Sequence, residues 1–371
     1  MRILQVLPNL DSGGVERGTV EFARELVHQG HESLVMSNGG RLVGQLEREG
    51  SRHVQMPVHR KSLGSLALVR PLREFLRELR PDIVHVRSRM PAWLIWLAWR
   101  KLPSGTRPRL VSTFHGLYSV NAYSGVMARA EHLIAISHCV ERYVLDNYGQ
   151  RYGIGPGRLT VIQRGVDPDA FFPAEPDAAW LSALHAEYPQ LAGRKVVLMP
   201  GRLSRWKGQE QFLDMMAALV ADEPACHGVI VGDAEQSKEH YRVQLEQKAA
   251  GLGLADKVTF VGHRADIAQF YRLASVVCHM SNKPEPFGRT LTEALACNTP
   301  VVAFDQGGAA ESLSACFPEG LVPPGDLGAF ARKVREWVAR RPAILVPERF
   351  LLRQQVQATL AVYRHLLESP R

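Results

Sequence analysis

Two cations and two carboxylates carry the strongest chemical signal in this chain. Arg202 and Lys207 lie on one short stretch, Pro200-Gly201-Arg202-Leu203-Ser204-Arg205-Trp206-Lys207-Gly208. Glu285 and Glu293 bracket a second, Glu285-Pro286-Phe287-Gly288-Arg289-Thr290-Leu291-Thr292-Glu293. Each stretch follows an apolar run, Val196 to Met199 and Val276 to Ser281, and leads into a helical pattern. Both therefore belong at the carboxyl ends of strands, where open α/β sheets bind ligands. A diphosphate needs paired cations there, because its oxygens are costly to desolvate without them. Gly288 lets backbone amides approach a ligand, and carboxylates suit sugar hydroxyls. Taken singly, the cations could be a solvated loop and the glutamates ordinary surface groups. Their joint placement at strand ends of one half argues for a site.

The first half offers weaker signals. Gly13-Gly14 stands between the first strand and the first helix, so its amides can bind a phosphate or sugar oxygen, or it can be only a tight turn. Glu16 and Arg17 after it can form a surface helical pair. His115, in Thr113-Phe114-His115-Gly116, ends a strand and can hydrogen-bond a sugar hydroxyl, take part in proton transfer, or be structural. Gly307-Gly308, with Glu311 three residues on, is one more loop entering a helix. No Gly-x-Gly-x-x-Gly follows a strand, which argues against an ordinary dinucleotide fold. No His-Glu-x-x-His occurs, and no bound metal or cofactor is expected.

The elements that must position these groups alternate. In the first half, strands are expected over 2–8, 31–37, 53–57, 82–86, 109–114, 133–137 and 159–163. Helices are expected over 15–27, closed by Gly30, and over 42–48, 63–79, 92–101 and 140–148. Pro168, Pro173, Pro176 and Pro189 then break the rhythm, and 164–195 reads as a linker. It restarts with strands over 196–203, 227–232, 258–262, 276–281 and 300–305. Helices are expected over 208–221, 238–251, 266–274 and 288–297, and again over 348–367. Alternation of this kind means parallel sheets covered on both faces. Two successive α/β halves lead us to expect a ligand cleft between them.

The chain has 371 residues, 46% hydrophobic and 22% charged, ordinary for a soluble globular protein, and the length predicts two domains or one large one. Its formal charge of +8 lies in the first half: residues 1–170 hold 23 Lys and Arg against 15 Asp and Glu, and residues 171–371 hold 22 of each. That predicts an anionic partner for the first half, or serves solubility alone. No RNA-binding or zinc-finger pattern supports nucleic acid. The five cysteines, Cys139, Cys226, Cys278, Cys297 and Cys316, form no Cys-x-x-Cys pair and read as reduced thiols of a cytosolic protein. Met1 to Pro8 reads as a strand, not a signal peptide, and no run reaches the roughly 20 apolar residues of a spanning helix.

Gly-Gly-Val-Glu-Arg at 13–17, Phe-His-Gly at 114–116, Arg-Gly-Val-Asp at 164–167, Gly-Arg-x4-Lys-Gly at 201–208 and Glu-Pro-Phe-Gly-x4-Glu at 285–293 resemble the retaining family 4 glycosyltransferases of the GT-B fold. The resemblance covers nearly the whole chain. It implies two Rossmann-like α/β domains facing each other across a cleft: an acceptor-binding domain over 1–170, a nucleotide-sugar-binding domain over 171–350, and a helix over 351–371 that returns to the first. Arg202 and Lys207 would hold the diphosphate and Glu293 the ribose. Glu285 and the amides of Phe287 and Gly288, with Arg289 and Thr290 beside them, would bind the donor sugar. His115 would contact the sugar, and Gly13 and Gly14 would lie near the diphosphate. No metal is needed in the family. The acceptor would be a lipid-linked, phosphate-bearing glycan of a lipopolysaccharide core or related envelope polysaccharide. The enzyme would be cytoplasmic, docking on anionic membrane through Arg60, Lys61, Arg70, Arg73, Arg77 and Arg80. Trp93, Trp96 and Trp99 would either join that face or pack on the sheet. A nucleotide-sugar epimerase, a phosphorylase and a non-catalytic glycan- or nucleotide-sugar-binding protein share the architecture.

Overall fold

The computed structural model describes residues 1–11, 13–234 and 239–370, and the chain divides into two compact units. The first comprises Met1–Gly165 with Arg349–Arg371, the second Val166–Glu348. The first border falls five residues before the expected one and the second two residues before it. The expected helix start at 238 lies outside the described residues.

The first unit is built on strands β1 (Arg2–Val6), β2 (Glu32–Ser37), β3 (Arg52–Gln55), β4 (Ile83–Val86), β5 (Arg109–Phe114), β6 (His132–Ala135) and β7 (Leu159–Val161). They pair in the order β3-β2-β1-β4-β5-β6-β7, all parallel. Ile3, Ile83, Val111 and Ile134 bury one face of the sheet against the terminal helix Leu352–Glu368, through Val356, Leu360 and Tyr363. That helix is held at its start, where Gln355 Oε1 accepts the Gly165 amide at 2.6 Å. These strands are near-continuous apolar runs because helices cover both faces.

The second unit uses β8 (Lys195–Pro200), β9 (Cys226–Val231), β10 (Val258–Gly262), β11 (Val276–His279), β12 (Val301–Phe304) and β13 (Leu321–Val322), ordered β10-β9-β8-β11-β12-β13 and again parallel. In both sheets the order reverses beside the first strand of the unit, so β1/β4 and β8/β11 are the switch points where such sheets take ligands.

Three expectations are corrected. The 164–195 segment is not a linker: it carries the helix Ala178–Glu187, whose Asp177 caps the Trp180 amide at 2.8 Å, whose Trp180 ring meets Phe270 edge-on at 5.0 Å, and whose Leu184 is buried in the second core. The prolines flank this helix instead of excluding it. The expected helix over 63–79 is a 3-10 turn, Leu63–Leu68, followed by an α-helix, Val69–Leu79. Pro71 is tolerated in the first turn of the shorter helix and would break the longer one. The expected helix over 140–148 runs from His138 through a π turn, Leu145–Gly149, to Tyr152. The helix Leu327–Ala339 and strand β13 had no counterpart in the sequence reading.

Candidate functional site

In the second unit the loop after β8 is pinned from below. Gly201 donates to Val231 (2.8 Å), Leu203 to the Asp233 carbonyl (3.0 Å), and Gln209 Nε2 to the Arg202 carbonyl (3.1 Å). Arg202 is exposed on this loop. The loop closes at Gly208, which has φ +87° and whose added Cβ would meet the Met280 carbonyl oxygen at 2.0 Å. Only glycine permits that approach, and it brings the following residues against the end of β11.

There Lys207 Nζ donates to Glu285 Oε1, and Ser281 Oγ donates to the same oxygen. His279 Nε2 stands 3.0 Å from it. The Glu285 side chain is 7% exposed. Burial pushes its carboxyl up, but His279 first and Lys207 next outweigh burial and hold it well below the usual carboxylate range. Glu285 is thus an ionised acceptor at neutral pH, not a proton donor. Its backbone is fixed too: its carbonyl accepts the Gly308 amide at 2.7 Å, and Gln306 Nε2 donates to the Ser281 carbonyl at 2.5 Å. His279 and Ser281 were not singled out from sequence. Their signal was the interruption of the apolar run ending β11 by two polar residues.

Gly288 precedes the helix Arg289–Ala296, at φ +86°. Glu293 lies on that helix, buried, with Oε1 accepting from Arg289 Nε at 3.1 Å and Oε2 from the Tyr271 hydroxyl at 3.2 Å. Phe287 is buried and Thr290 half-buried. The structure therefore joins Lys207 to Glu285 and Arg289 to Glu293, as two separately wired carboxylates beside one strand end.

The first unit carries its own polar pocket at the carboxyl ends of β4, β5 and β7. It is lined by His85, Arg87, Thr113, His115, Arg164, Gln355 and Thr359, among others. Arg164 Nη1 donates to His115 Nδ1 at 3.2 Å, and Nη2 donates to the Gly14 carbonyl at 2.7 Å. A guanidinium has no acceptor, so Nδ1 is unprotonated and Nε2 carries the proton. Burial, then the charges of Arg164 and Arg87 and the neighbouring His85, hold the His115 pKa well below its ordinary value. His115 is therefore a neutral hydrogen-bond donor through Nε2, a buried atom with no partner among the described residues. Of the roles expected for it, this geometry suits contact with a ligand oxygen over proton abstraction. The Gly13 amide donates to the Glu16 carboxylate, so that side chain caps the helix Gly14–His28. Arg87 and Arg164 were not named as site residues from sequence. Arg87 could have been found by the logic that found Arg202, as a cation directly after a buried strand.

Among the described residues no cluster of three or more His, Cys, Asp or Glu side chains is placed to hold a metal ion. The run Asp167-Pro168-Asp169 forms a turn in which Asp167 Oδ1 accepts the Asp169 amide at 3.0 Å. No helix among the described residues is long and apolar enough to cross a membrane.

Residues 12–170 match the family described as Glycosyltransferase Family 4, and residues 183–349 match the glycosyl transferases group 1 family. A D-inositol 3-phosphate glycosyltransferase of Geodermatophilus obscurus is 32% identical over 255 residues, 66% of this chain and 54% of that one. The lipopolysaccharide core biosynthesis mannosyltransferase LpsB of Rhizobium meliloti is 28% identical over 219 residues, 56% of this chain and 61% of that one. The chain thus spans between half and two thirds of the length of these relatives. Among solved structures, Anabaena HepE in complex with UDP and glucose superposes with a TM-score of 0.81 at 25% identity, covering 98% of this chain and 99% of that one.

Proposed function

The chain belongs to the glycosyltransferases of Family 4 with a group 1 C-terminal domain, on the GT-B fold, and from that premise we propose that it is a retaining, metal-independent transferase. It moves a sugar from a nucleotide-diphosphate sugar to a hydroxyl of a lipid-linked glycan, in lipopolysaccharide core or related envelope polysaccharide synthesis. The observation that carries the reading is the Lys207–Glu285–His279 cluster beside the exposed Arg202. It sets a cation for phosphate oxygens against an ionised carboxylate for sugar hydroxyls at one strand end. Similarity to a UDP- and glucose-bound structure supports a nucleotide-sugar donor, and similarity to a core mannosyltransferase supports the acceptor class.

Charge builds on the diphosphate as it leaves, and Arg202 and Lys207 stabilise that charge more in the transition state than before it. The anomeric carbon becomes oxocarbenium-like. Glu285 accepts from Lys207 and Ser281, with His279 Nε2 3.0 Å away, and serves to orient the sugar. The acceptor hydroxyl attacks from the leaving-group face, giving its proton to the departing phosphate. Glu293, through its bonds from Arg289 and Tyr271, is preset to take the ribose hydroxyls. The first unit receives the acceptor. Docking on the inner face of the cytoplasmic membrane would use Arg70, Arg77 and Arg80, which are exposed, with Leu63 and Leu66 projecting beside them at 87% and 50% exposure.

A panel of nucleotide sugars read by thermal shift, followed by transfer assays with the stabilising donor, tests this reading. One nucleotide sugar should raise the Tm of the second unit and be consumed with retention when a glycan acceptor is added. Stabilisation by none of the panel would overturn it.

A further inference from the structure

Arg87 follows β4 directly, and its amide donates to the Val6 carbonyl at 2.9 Å, so it sits at the switch point of the first sheet. Its side chain is 4% exposed. Nε donates to Gln5 Oε1 at 2.8 Å, and the guanidinium lies 5.4 Å from the centre of the Phe22 ring. Among the described residues no carboxylate comes within ion-pair distance of it, and neither of its two Nη groups has a protein acceptor. A guanidinium in this state is costly, since Gln5 and the Phe22 ring replace only part of the hydration that burial removes. Burial indeed lowers its pKa to about 10.

The same pocket holds a second orphan donor. His115 Nε2 is protonated by the argument above and has no partner. The neighbouring His85 cannot accept from either group: its Nδ1 is 2.6 Å from the Tyr363 hydroxyl and its Nε2 is 2.6 Å from Thr113 Oγ1. Thr359 Oγ1 donates to the Gln355 carbonyl, and Gln355 Oε1 accepts from Gly165. The pocket is partly open to solvent and its free interior, about 10 Å³, admits about one water-sized group, so one oxygen of a ligand would enter while the rest of its group stays at the mouth. It is a cavity of donors, with two guanidiniums lining it and no carboxylate among the residues around it.

We propose that this first-unit pocket is an oxyanion site, in which Arg87 Nη and His115 Nε2 receive a phosphate or carboxylate group of a ligand. The proposal deepens the transferase reading, on which it rests for the ligand: the anion is either a phosphate or carboxylate borne by the acceptor glycan, or a phosphate of the donor nucleotide. Both sources share the chemistry of a compact oxyanion taking charge-assisted hydrogen bonds.

The test uses the full chain, with inorganic phosphate as the probe and chloride matched for ionic strength. Binding is measured by calorimetry and thermal shift in wild type, Arg87→Met, Arg87→Lys and Lys207→Ala. Lys207→Ala should lose only phosphate held at the Arg202–Lys207 loop and keep that held in the first-unit pocket, which Arg87→Lys should weaken several-fold and Arg87→Met at least tenfold. Arg87→Met should also melt at or above the wild-type temperature in phosphate-free buffer, because it removes an uncompensated charge. Phosphate binding unchanged in Arg87→Met, or absent from wild type, would overturn the proposal. If Arg87→Met does not fold, the histidine ring signals of wild type decide: the His115 resonances should shift on phosphate addition, and their failure to move would overturn it. Loss of the phosphate effect in saturating UDP identifies the donor as the source of the anion, and its persistence identifies the acceptor. Failure of the transferase reading itself is seen separately, as no stabilisation by any nucleotide sugar with phosphate binding intact.

Discussion

Replacing Lys207 by alanine should weaken the second unit and transfer together, by amounts that its surroundings set. The Lys207 side chain is 20% exposed and that of Glu285 7%. At about 4 Å and an effective dielectric near 20, two unit charges attract by about 4 kcal/mol, an upper figure for this pair. Removing one partner of a buried pair costs about 3–5 kcal/mol. Here His279 and Ser281 still face Glu285 Oε1, so a loss of about 2–3 kcal/mol is expected, reasoning from that range. For a unit of this size that corresponds to a fall in Tm of about 4–12 °C. Adding Glu285→Gln removes the stranded charge, so the double variant should lose less than the two single losses added. In catalysis, a lost donor to a developing oxyanion lowers kcat by about 10²–10³, and Lys207→Ala should fall in that range with any donor it still binds. Calorimetry of the four proteins at pH 7, with initial rates of transfer, measures both. Additive losses in the double variant would refute the pairing argument, and near-normal turnover in Lys207→Ala would refute the diphosphate assignment.

Arg202→Ala should also abolish transfer while leaving Tm close to wild type, since its side chain is exposed; a large drop in Tm would make it structural. Glu293→Gln should chiefly raise KM for the donor and Glu285→Gln chiefly lower kcat, and steady-state kinetics showing the reverse would exchange their roles. The Glu285 pKa is lowered on folding, so its contribution to stability is present above the ordinary carboxylate value near 4.3 and is lost as pH falls below it. Wild type should therefore lose more stability than Glu285→Gln between pH 5 and pH 2, and parallel curves would contradict this. Transfer should survive excess EDTA, and loss restored by Mg²⁺ or Mn²⁺ would require a metal.

The parallel sheets and the residues at their strand ends were legible because buried strands are written as apolar runs and because cations and carboxylates directly after them have few structural uses. The helix Ala178–Glu187 was hidden by its flanking prolines, which mark its ends but resemble a linker in sequence. The Glu285 cluster was half legible. Lys207 and Glu285 are read from spacing, but Oε1 as a shared acceptor depends on His279 and Ser281 reaching it from β11, and that follows from where a strand stops. The protonation state of His115 was not legible at all, because it is decided by Arg164, 49 residues away in sequence.

The charge excess of the first half takes a different meaning once its arginines are placed. From sequence it predicted a basic surface. In the structure Arg87, Arg109 and Arg164 are buried. Arg129 lies 4.4 Å from the centre of the Trp96 ring, Arg100 lies 4.6 Å from the same ring, and Arg107 lies 4.6 Å from that of Trp99. The indole N–H groups of Trp93 and Trp99 donate inward, to the carbonyls of Tyr123 and Pro108. The tryptophans are half-buried and act mainly as packing, with arginines stacked over them. On the helix Val69–Leu79, Glu74 lies against both Arg73 and Arg77, and its single negative charge offsets one of the two. Fewer free cations remain outside than the sum of +8 suggests, and two guanidiniums remain inside, around one pocket. That placement puts two of the half's basic groups at the proposed oxyanion site and leaves the exposed Arg70, Arg77 and Arg80 for the proposed membrane contact.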